Sequence, residues 1–278
     1  MSVQSAHNSP VIPASGQGLR IGVFDSGVGG LSVLRAIRRQ LPLADLIYVA
    51  DSANAPYGER DNAFILQRSA TISRFLLSHR TQAIVVACNT ATAAAVHHLR
   101  MLWPHMPIVG VEPGLKPAVA VSCNKRIGVM ATSATLASTK FQRLMNEQGG
   151  QAKFVLQPCP GLAAEIEKGL LDTSTLRSLV DEFTTPLRAA QVDTVVLGCT
   201  HYPFVRPLIE VALGKNVKVI DTADAVARHV ARQVFLSSHT CGGVGGDTWL
   251  WSSGNPNLLT KVVHSWLGLN AKAQKLPQ

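Results

Sequence analysis

The amino-acid sequence predicts an α/β protein with two similar domains, mainly parallel sheets flanked by helices, and an active site in the interdomain cleft. Three observations support this prediction. Apolar strand-like runs alternate with helical patterns along the chain, which is typical of parallel sheets. Two of these runs recur in the second half of the chain at nearly the same offset. The 278 residues are also enough for about two domains of roughly 150 residues each.

The first half of the chain supplies three strands, each followed by a helical pattern. The strands are short and apolar, as in a sheet buried on both faces. In the longest helical pattern, Ile65, Ile72, Phe75 and Leu76 lie near helical spacing. The predicted elements are a strand at 19–27, a helix at 30–41, a strand at 46–53, a helix at 60–80, a strand at 83–90 and a helix at 91–103.

The second half of the chain repeats strands of the first half. The segment 126–135 (RIGVMATSAT) matches 20–29 (RIGVFDSGVG), with an offset of 127 − 21 = 106 positions. The run that ends at Cys199 (VDTVVLGCTHYPF) matches the run that ends at Cys88 (TQAIVVACNTAT), with an offset of 199 − 88 = 111 positions. Buried strands resemble one another by chance, but two matches in the same order favour an internal duplication.

Composition restricts the class of protein. The formal net charge is +9, but no dense basic block is present, so a solvated basic surface is favoured over a polyanion-binding one. The Ser-, Pro- and Gly-containing N-terminus resembles no secretory signal and predicts a disordered tail over 1–19. No apolar run reaches the about 18 residues that a membrane span needs. We therefore expect a cytoplasmic protein.

The five cysteines show no CxxC spacing and fit free thiols in a reducing compartment. Cys88 and Cys199 each end a predicted strand, and functional groups in open α/β sheets collect at the carboxyl ends of strands. If the two domains face each other, both thiols point into one cleft from opposite sides. Cys123, Cys159 and Cys241 lack this context, and we expect them to be buried as small apolar side chains.

Two facing thiols suit the inversion of a chiral carbon, which needs a base on one face and an acid on the other. A free thiol has a pKa of about 8.5, close enough to neutrality to be tuned. The segments CNTATAAAV and CTHYPFVRPL predict helices that begin directly after Cys88 and Cys199. A helix N-terminus favours a thiolate and also offers N–H groups to a substrate carboxylate.

Polar residues lie beside both predicted thiols. Asp25 and Ser26 end the first strand, next to the Cys88 strand in an ordinary sheet order, and Asp25 could bind an ammonium group or assist Cys88. The duplicate strand carries Thr132 in the same place. His201 follows Cys199 by two residues and could orient or protonate it, or be an ordinary loop histidine.

Several longer motifs, in order, resemble the cofactor-independent glutamate racemases of the aspartate/glutamate racemase superfamily. The resemblance covers about residues 20–269. The Pro56-Tyr57-Gly58 element points to the glutamate racemases rather than to the related aspartate or hydantoin racemases. The motifs are IGVFDSGVGGLSVL, YVADSANAPYGER, ACNTATA, GVEPG, GVMATSAT, LGCTHYPF, IDTADAVA and WSSGNPNLLTKVVHSWLG.

The resemblance implies racemisation of glutamate by two cysteines, Cys88 and Cys199, with no pyridoxal phosphate, no other cofactor and no metal. Asp25 would assist on the Cys88 side and His201 on the Cys199 side. A helix glutamate would assist as well and matches Glu167 best. The neighbouring candidate Glu165 lies about 200° away around a helix, so at most one of the two can face the cleft.

The resemblance also implies the substrate contacts, the domain limits and a role in peptidoglycan biosynthesis and cell shape. The limits are 20–111 plus 222–270 for the first domain and 112–221 for the second, with a C-terminal tail at 271–278. Asn255 replaces a more usual acidic residue, which we interpret as surface drift. The expected substrate contacts are Asp25, Ser26, Pro56, Tyr57, Gly58, Asn89, Thr90, Thr132, Thr200 and His201.

Other readings of the sequence stay open. The Gly-rich segments at 27–30 and 242–247 lack the Lys-Ser/Thr of a phosphate-binding loop and fit tight turns. Because some family members inhibit DNA gyrase, the basic chain could also bind nucleic acid or gyrase, which a salt-dependent DNA shift would test. A peptidoglycan precursor is a candidate activator through the N-terminal extension. A homodimer is an open alternative to a monomer.

Overall fold

The computed structural model describes residues 18–148, 150–236 and 246–277. These residues form ten strands, eleven α-helices and two short 3-10 helices. The strands are β1 Arg20–Asp25, β2 Asp45–Ala50, β3 Ala83–Val86, β4 Ile108–Gly110, β5 Arg126–Ala131, β6 Lys153–Pro158, β7 Thr194–Leu197, β8 Lys218–Ile220, β9 Thr248–Ser252 and β10 Ala273–Lys275. The α-helices are α1 Leu31–Gln40, α2 Asn62–Ser78, α3 Asn89–Leu102, α4 Leu115–Val121, α5 Ser133–Ala137, α6 Thr139–Asn146, α7 Leu162–Glu167, α8 Ser174–Ala189, α9 Arg206–Leu213, α10 Ala223–Leu236 and α11 Pro256–Leu267. The 3-10 helices are Tyr57–Glu59 and Tyr202–Val205.

The strands form two parallel sheets. The first has the order β10-β9-β2-β1-β3-β4 and the second the order β6-β5-β7-β8. Each sheet thus contains the same four-strand pattern, second-first-third-fourth, in which β1 corresponds to β5 and β3 to β7. These are the strands that the sequence matched at offsets of 106 and 111. The predicted α/β class with two parallel-sheet units is confirmed.

Helices cover both faces of each sheet. On the first sheet, α1, α10 and α11 bury one face, while α2 and α3 bury the other. On the second sheet, α7, α8 and α9 pack on one face and α4, α5 and α6 on the other. Strands buried on both faces cannot alternate apolar and polar residues, which explains the continuous runs at 83–86 and 194–197.

One predicted helix start needs correction, and one predicted surface position has a local role. Asn255 is exposed, in agreement with the predicted surface position, and its side-chain oxygen accepts from the Asn257 N–H at 2.9 Å and so caps α11, as an acidic residue would also do. The chain after Cys199 does not enter an α-helix at once. A helix starting there would need a Pro203 N–H to donate to the Cys199 carbonyl, and proline has none. A turn and a 3-10 helix therefore precede α9.

The chain passes from the first sheet to the second after β4 and returns after β8, close to the predicted domain limits at 111 and 222, which stay a prediction. The predicted C-terminal tail is wrong in one part, because Ala273–Lys275 pair with β9 as an edge strand. Residues 1–17 of the predicted N-terminal tail and Cys241 lie outside the described residues. Within the described ranges, no helix has the length and apolar character to cross a membrane.

Candidate active site

Cys88 and Cys199 occupy equivalent places in the two sheets. Each follows its strand by two residues, and that strand neighbours the first strand of its own unit. In both units the first and third strands are adjacent, so the chain connections diverge there and leave a crevice at the carboxyl ends of the strands. The two crevices face each other, which brings residues of both units into hydrogen-bond contact, for example Thr200 with Asp25.

The Cys88 thiol lies at the N-terminus of α3. Its side chain is 6% exposed, and its Sγ accepts from the Ala91 N–H at 3.4 Å as the helix cap. The Ser26 hydroxyl lies 3.9 Å from the same sulfur. Burial, reinforced by the negative charge of Asp25, raises the pKa of the Cys88 thiol well above its usual range. Without a bound ligand, Cys88 therefore holds its proton and can act as an acid.

Asp25 is completely buried and joins the two units. One carboxylate oxygen accepts from the N–H and the hydroxyl of Ser26, at 2.5 and 3.0 Å. The other accepts from the Thr200 hydroxyl of the second unit, at 2.8 Å. Burial raises the pKa of Asp25, and the positive charge of His201, together with these hydrogen bonds, offsets only part of that effect. The protein thus retains a carboxylate whose ionisation opposes folding.

We expect Asp25→Asn to stabilise the fold while impairing function. Asparagine keeps the shape, and the Thr200 hydroxyl can turn to accept from its amide. Because the pKa of Asp25 is higher in the folded than in the unfolded state, folding stability falls as the pH rises from about 4 through the folded pKa. The variant lacks this loss. Its gain in melting temperature should therefore be larger at about pH 8 than at about pH 5.

A suitable control is Asp45→Asn, at the start of β2, where the carboxylate lies 3.4 Å from the Arg20 guanidinium. This change removes an attractive ion pair and should not stabilise the fold. Thermal unfolding of both variants at the two pH values makes the comparison. A melting temperature of Asp25→Asn below that of the unmodified protein at both values would contradict the expectation.

On the opposite side, Cys199 is paired with His201 and Glu167. The Cys199 side chain is 8% exposed, and its Sγ lies 3.6 Å from His201 Nδ1. His201 Nε2 forms a short hydrogen bond with Glu167 Oε1. Burial alone would lower the pKa of His201, but its contacts with Cys199 and Glu167 outweigh burial and raise it well above the usual value. These contacts therefore favour the protonated form of the His201 ring.

The structure distinguishes the two glutamates of α7. Glu167 faces the cleft, where its Oε1 also accepts from the Val28 N–H of the first unit at 2.6 Å. Glu165 points elsewhere and pairs with Lys168. This geometry agrees with the expected choice of Glu167, whose part in the chemistry stays a prediction.

The glycines of the loop between β1 and α1 make room for the side chains of Glu167 and His201. A Cβ on Gly27 would overlap the Glu167 carboxylate, and a Cβ on Gly29 would overlap the His201 ring. The segment at 27–30, predicted to serve a tight turn, therefore also lets the backbone of one unit approach the polar side chains of the other. Nothing in the local sequence pattern pointed to this use.

Hydroxyl groups from both units meet at another part of the cleft. Thr90 Oγ1 lies 3.0 Å from Thr132 Oγ1 and 3.2 Å from Thr135 Oγ1. Thr90 and Thr132 were predicted from the sequence, whereas Thr135 was missed. Ser32 was missed as well: its hydroxyl donates to the carbonyl of Thr200 at 3.0 Å and so fixes the loop that carries Cys199.

Asn89, the first residue of α3, has a buried side-chain oxygen without a hydrogen-bond partner among the described residues. Buried polar atoms in proteins are nearly always paired, so an orphan atom in a cleft indicates a place for a ligand. The first N–H groups of α3 lie in the same turn and favour a negatively charged group there. Asn89 is therefore well placed for its predicted contact with a substrate.

The structure places Pro56, Tyr57 and Gly58 differently from one another. Pro56 and Gly58 line a cavity together with Thr132. The Tyr57 side chain is buried, and its hydroxyl donates to Asp51 Oδ2 at 2.6 Å rather than entering the cleft. A substrate contact from Tyr57 would therefore have to come from its backbone.

The remaining cysteines differ in environment. Cys159 is buried as expected. The prediction for Cys123 is wrong, because this residue is exposed: it lies in the turn after α4, where its N–H donates to the Asp193 carboxylate at 2.6 Å. Cys159 also directly follows a strand, β6, and lies beside Tyr202. Among the described residues, Cys88 and Cys199 are the two buried thiols that follow equivalent strands, β3 and β7, and that lie beside Asp25 and His201. Such a pair is suited to proton transfer on two faces of one carbon.

Comparison with known proteins identifies the class of this protein. The Asp/Glu/Hydantoin racemase family model matches residues 21–230. The chain belongs to this family, and it is accordingly an enzyme of the isomerase class.

The names of individual relatives are more specific than the name of the family. A glutamate racemase from Stutzerimonas stutzeri is 43% identical over 257 residues, which cover 92% of this chain and 97% of that protein. The crystal structure of glutamate racemase isoform RacE1 from Bacillus anthracis superposes with a TM-score of 0.86 at 30% identity, covering 94% of this chain and 98% of that one. The resemblance to glutamate racemases that the sequence motifs indicated is confirmed.

A third relative was solved with ligands. Glutamate racemase from Escherichia coli, in complex with L-glutamate and the activator UDP-MurNAc-ala, superposes with a TM-score of 0.81 at 29% identity. The match covers 93% of this chain and 98% of that one.

Proposed function

We propose that this racemase interconverts L- and D-glutamate in the cytoplasm, with Cys88 and Cys199 as the acid/base groups on opposite faces of the α-carbon. One observation carries the proposal: two buried thiols follow equivalent strands of two facing sheets, each beside its own ionisable partner. Asp25 accompanies Cys88, and His201 accompanies Cys199. The substrate is inferred from the relatives, of which the E. coli enzyme was solved with L-glutamate.

In the direction from L- to D-glutamate, the Cys199 thiolate takes the α-proton and the Cα–H bonding pair stays on the carbon. The Cys88 thiol then delivers its proton to the opposite face. In the free site, burial and Asp25 keep the proton on Cys88, and His201 lies 3.6 Å from the Cys199 sulfur, where its protonated ring can hydrogen-bond to a thiolate. After the reaction the two thiols have exchanged protonation states, which is the starting state for D-glutamate.

The negative charge that develops on the substrate needs hydrogen-bond donors. The first turn of α3, with the side chains of Asn89 and Thr90, supplies donors beside Cys88. On the Cys199 side, the Thr200 hydroxyl donates its one proton to Asp25, so a donor contact of Thr200 with the substrate would have to come from its backbone N–H. Fixed donors of this kind stabilise the substrate carboxylate, and also the carbanion that forms when the α-proton leaves, in a site from which water is excluded. A bound substrate would also partner the orphan oxygen of Asn89, for instance through its ammonium group.

The product suggests a biological role and a form of control. We infer that the D-glutamate enters peptidoglycan biosynthesis and so supports the cell wall and cell shape. The E. coli relative carries an activator, UDP-MurNAc-ala. Activation of this chain by such a precursor stays a prediction, since most of its N-terminal extension lies outside the described residues. A homodimer and binding to nucleic acid or gyrase are not part of this proposal.

Activity is expected with glutamate alone. Purified protein, treated with a chelator and a thiol reductant and given no pyridoxal phosphate, should change the optical rotation of L-glutamate towards zero. Glutamate should be turned over at least about a hundredfold faster than alanine or aspartate. A site that holds two carboxylates leaves its donors unpaired with alanine and mismatched in distance with aspartate.

The same assay separates the competing assignments. Faster turnover of aspartate or of a hydantoin would assign the chain to another branch of its family. Comparable turnover of alanine and glutamate would contradict a site built for two carboxylates. A folded, reduced protein that leaves the rotation of L-glutamate unchanged would rule out the proposed activity.

A further inference from the structure

The segment 52–58 begins shortly after β2 and includes the first two residues of the 3-10 helix Tyr57–Glu59. It forms one wall of the cleft. At its end, Gly58 lies against the second unit: a Cβ on Gly58 would come within 2.9 Å of Thr132 Cβ. Pro56 and Gly58 line a cavity with Thr132. Gly58 is thus in close contact with the second unit, and a small shift of the segment would change the shape of the cavity.

Behind the segment lies a buried carboxylate to which the proposed chemistry gives no role. Asp51 is fully buried and follows β2 directly. Its backbone N–H donates to the carbonyl of Asp25 at 3.0 Å, so Asp51 is in register with a residue of the site. An uncompensated charge at such a depth would be strongly destabilising, so the groups that neutralise it must be held in place.

Those groups come from within the segment and from α2. Asn54 Nδ2 donates to both carboxylate oxygens, at 3.0 and 3.1 Å, and the Tyr57 hydroxyl donates at 2.6 Å. Arg68 forms a two-pronged pair from α2, with Nε at 3.0 Å and Nη2 at 2.8 Å. Burial would raise the pKa of Asp51, but hydrogen bonds from Arg68, Tyr57 and Ser253 outweigh burial and hold this pKa below its usual range, so the carboxylate stays charged. The two-pronged contact with Arg68 then fixes the orientation of the Asp51 carboxylate.

We propose that Asp51 is a positioning residue that holds the segment 52–58 in the conformation that binds substrate, acting through the Tyr57 hydroxyl. This inference rests on the proposed function. Asp51 touches neither the thiols nor the cavity, and its effect would be on substrate binding. Without the bond between Asp51 and Tyr57, the segment can leave the conformation that binds substrate. It must then be ordered again when glutamate binds, which weakens binding.

The test uses Tyr57→Phe and Asp51→Asn. Tyr57→Phe removes one hydroxyl and keeps the buried ring. We expect the KM for glutamate to rise roughly tenfold, as for loss of a hydrogen bond to a charged group, while kcat stays within about threefold. Asp51→Asn should raise KM further. In the double variant the effects should be less than additive, because both changes remove the same bond.

The matched control is Asp45→Asn, since Asp45 lies at the other end of β2 and also faces an arginine, Arg20. Its kcat and KM should equal those of the unmodified protein. If the unmodified protein racemises glutamate but Tyr57→Phe leaves KM within about twofold, the positioning role is wrong. If the unmodified protein does not racemise glutamate, the proposed function itself fails. Should Asp51→Asn not fold, Tyr57→Phe alone decides.

Discussion

Replacing either Cys88 or Cys199 with serine is expected to lower racemisation at least about a thousandfold, because inversion needs a proton-transfer group on each face and a serine hydroxyl is a much weaker base than a thiolate. Each variant should still remove a proton with its remaining thiol. A glutamate analogue with a leaving group on the β-carbon reports this step, because elimination requires only the first deprotonation. From the family resemblance, Cys88 acts on D-substrate and Cys199 on L-substrate. Cys88→Ser should therefore eliminate from the L-analogue alone, and Cys199→Ser from the D-analogue alone.

Cys123→Ser is the control, since Cys123 is an exposed free cysteine away from the cleft. It should racemise and eliminate like the unmodified protein. The two-thiol mechanism is wrong if both site variants act on the same enantiomer, or if either still racemises at the full rate. The internal duplication would then have a structural meaning only.

Asp25→Asn and His201→Asn are expected to impair opposite half-reactions, each by roughly a hundredfold. Asp25 lies beside Cys88, so its loss should slow elimination from the D-analogue. His201 lies 3.6 Å from the Cys199 sulfur, so its loss should slow elimination from the L-analogue. The difference must be sought in these half-reactions. Enantiomers have equal free energies in water, so kcat/KM for racemisation is equal in the two directions whatever the variant.

The measurement is the ratio of elimination rates from the two analogues. His264→Asn, on the exposed side of α11, should leave this ratio unchanged. A ratio that moves the same way in Asp25→Asn and His201→Asn would show that the two residues do not divide between the thiols. Equal loss of both half-reactions in both variants would instead indicate a shared electrostatic role.

The local sequence was sufficient for the elements that are set by apolar runs and their ends. The runs at 83–86 and 194–197 are buried on both faces, and this placement requires the uninterrupted Val- and Ile-rich pattern that made them predictable. Cys88 as the cap of α3 also follows from its place between such a run and a helix-forming segment. The duplicated strand order could be anticipated because the two copies retain similar strands at a nearly constant offset.

The local sequence pattern could not predict contacts between residues that are distant in the chain. The spacing of Glu165 and Glu167 showed that only one could face the cleft, but the choice depends on how α7 packs against the loop at Val28. Tyr57 was expected to contact the substrate, but its hydroxyl donates to Asp51 behind the segment, since a buried carboxylate needs partners. The sequence of Ala273–Lys275 is too short and too polar to predict a strand. It forms one because it pairs with the edge of β9.

The sequence by itself determined the two α/β units, the strand ends that carry the thiols and the family to which the chain belongs. These properties depend on residues close together in the chain, or on motifs whose order is preserved. The sequence also indicated Asp25 beside Cys88 and His201 beside Cys199, whereas the tertiary structure alone decided the contacts that these groups make with the opposite unit. Asp25 meets Thr200, and Glu167 meets both His201 and Val28, across the junction of the two units. The physical reason is that burial and hydrogen bonding across that junction set the charge on each group, and neither is encoded within a single segment of the chain.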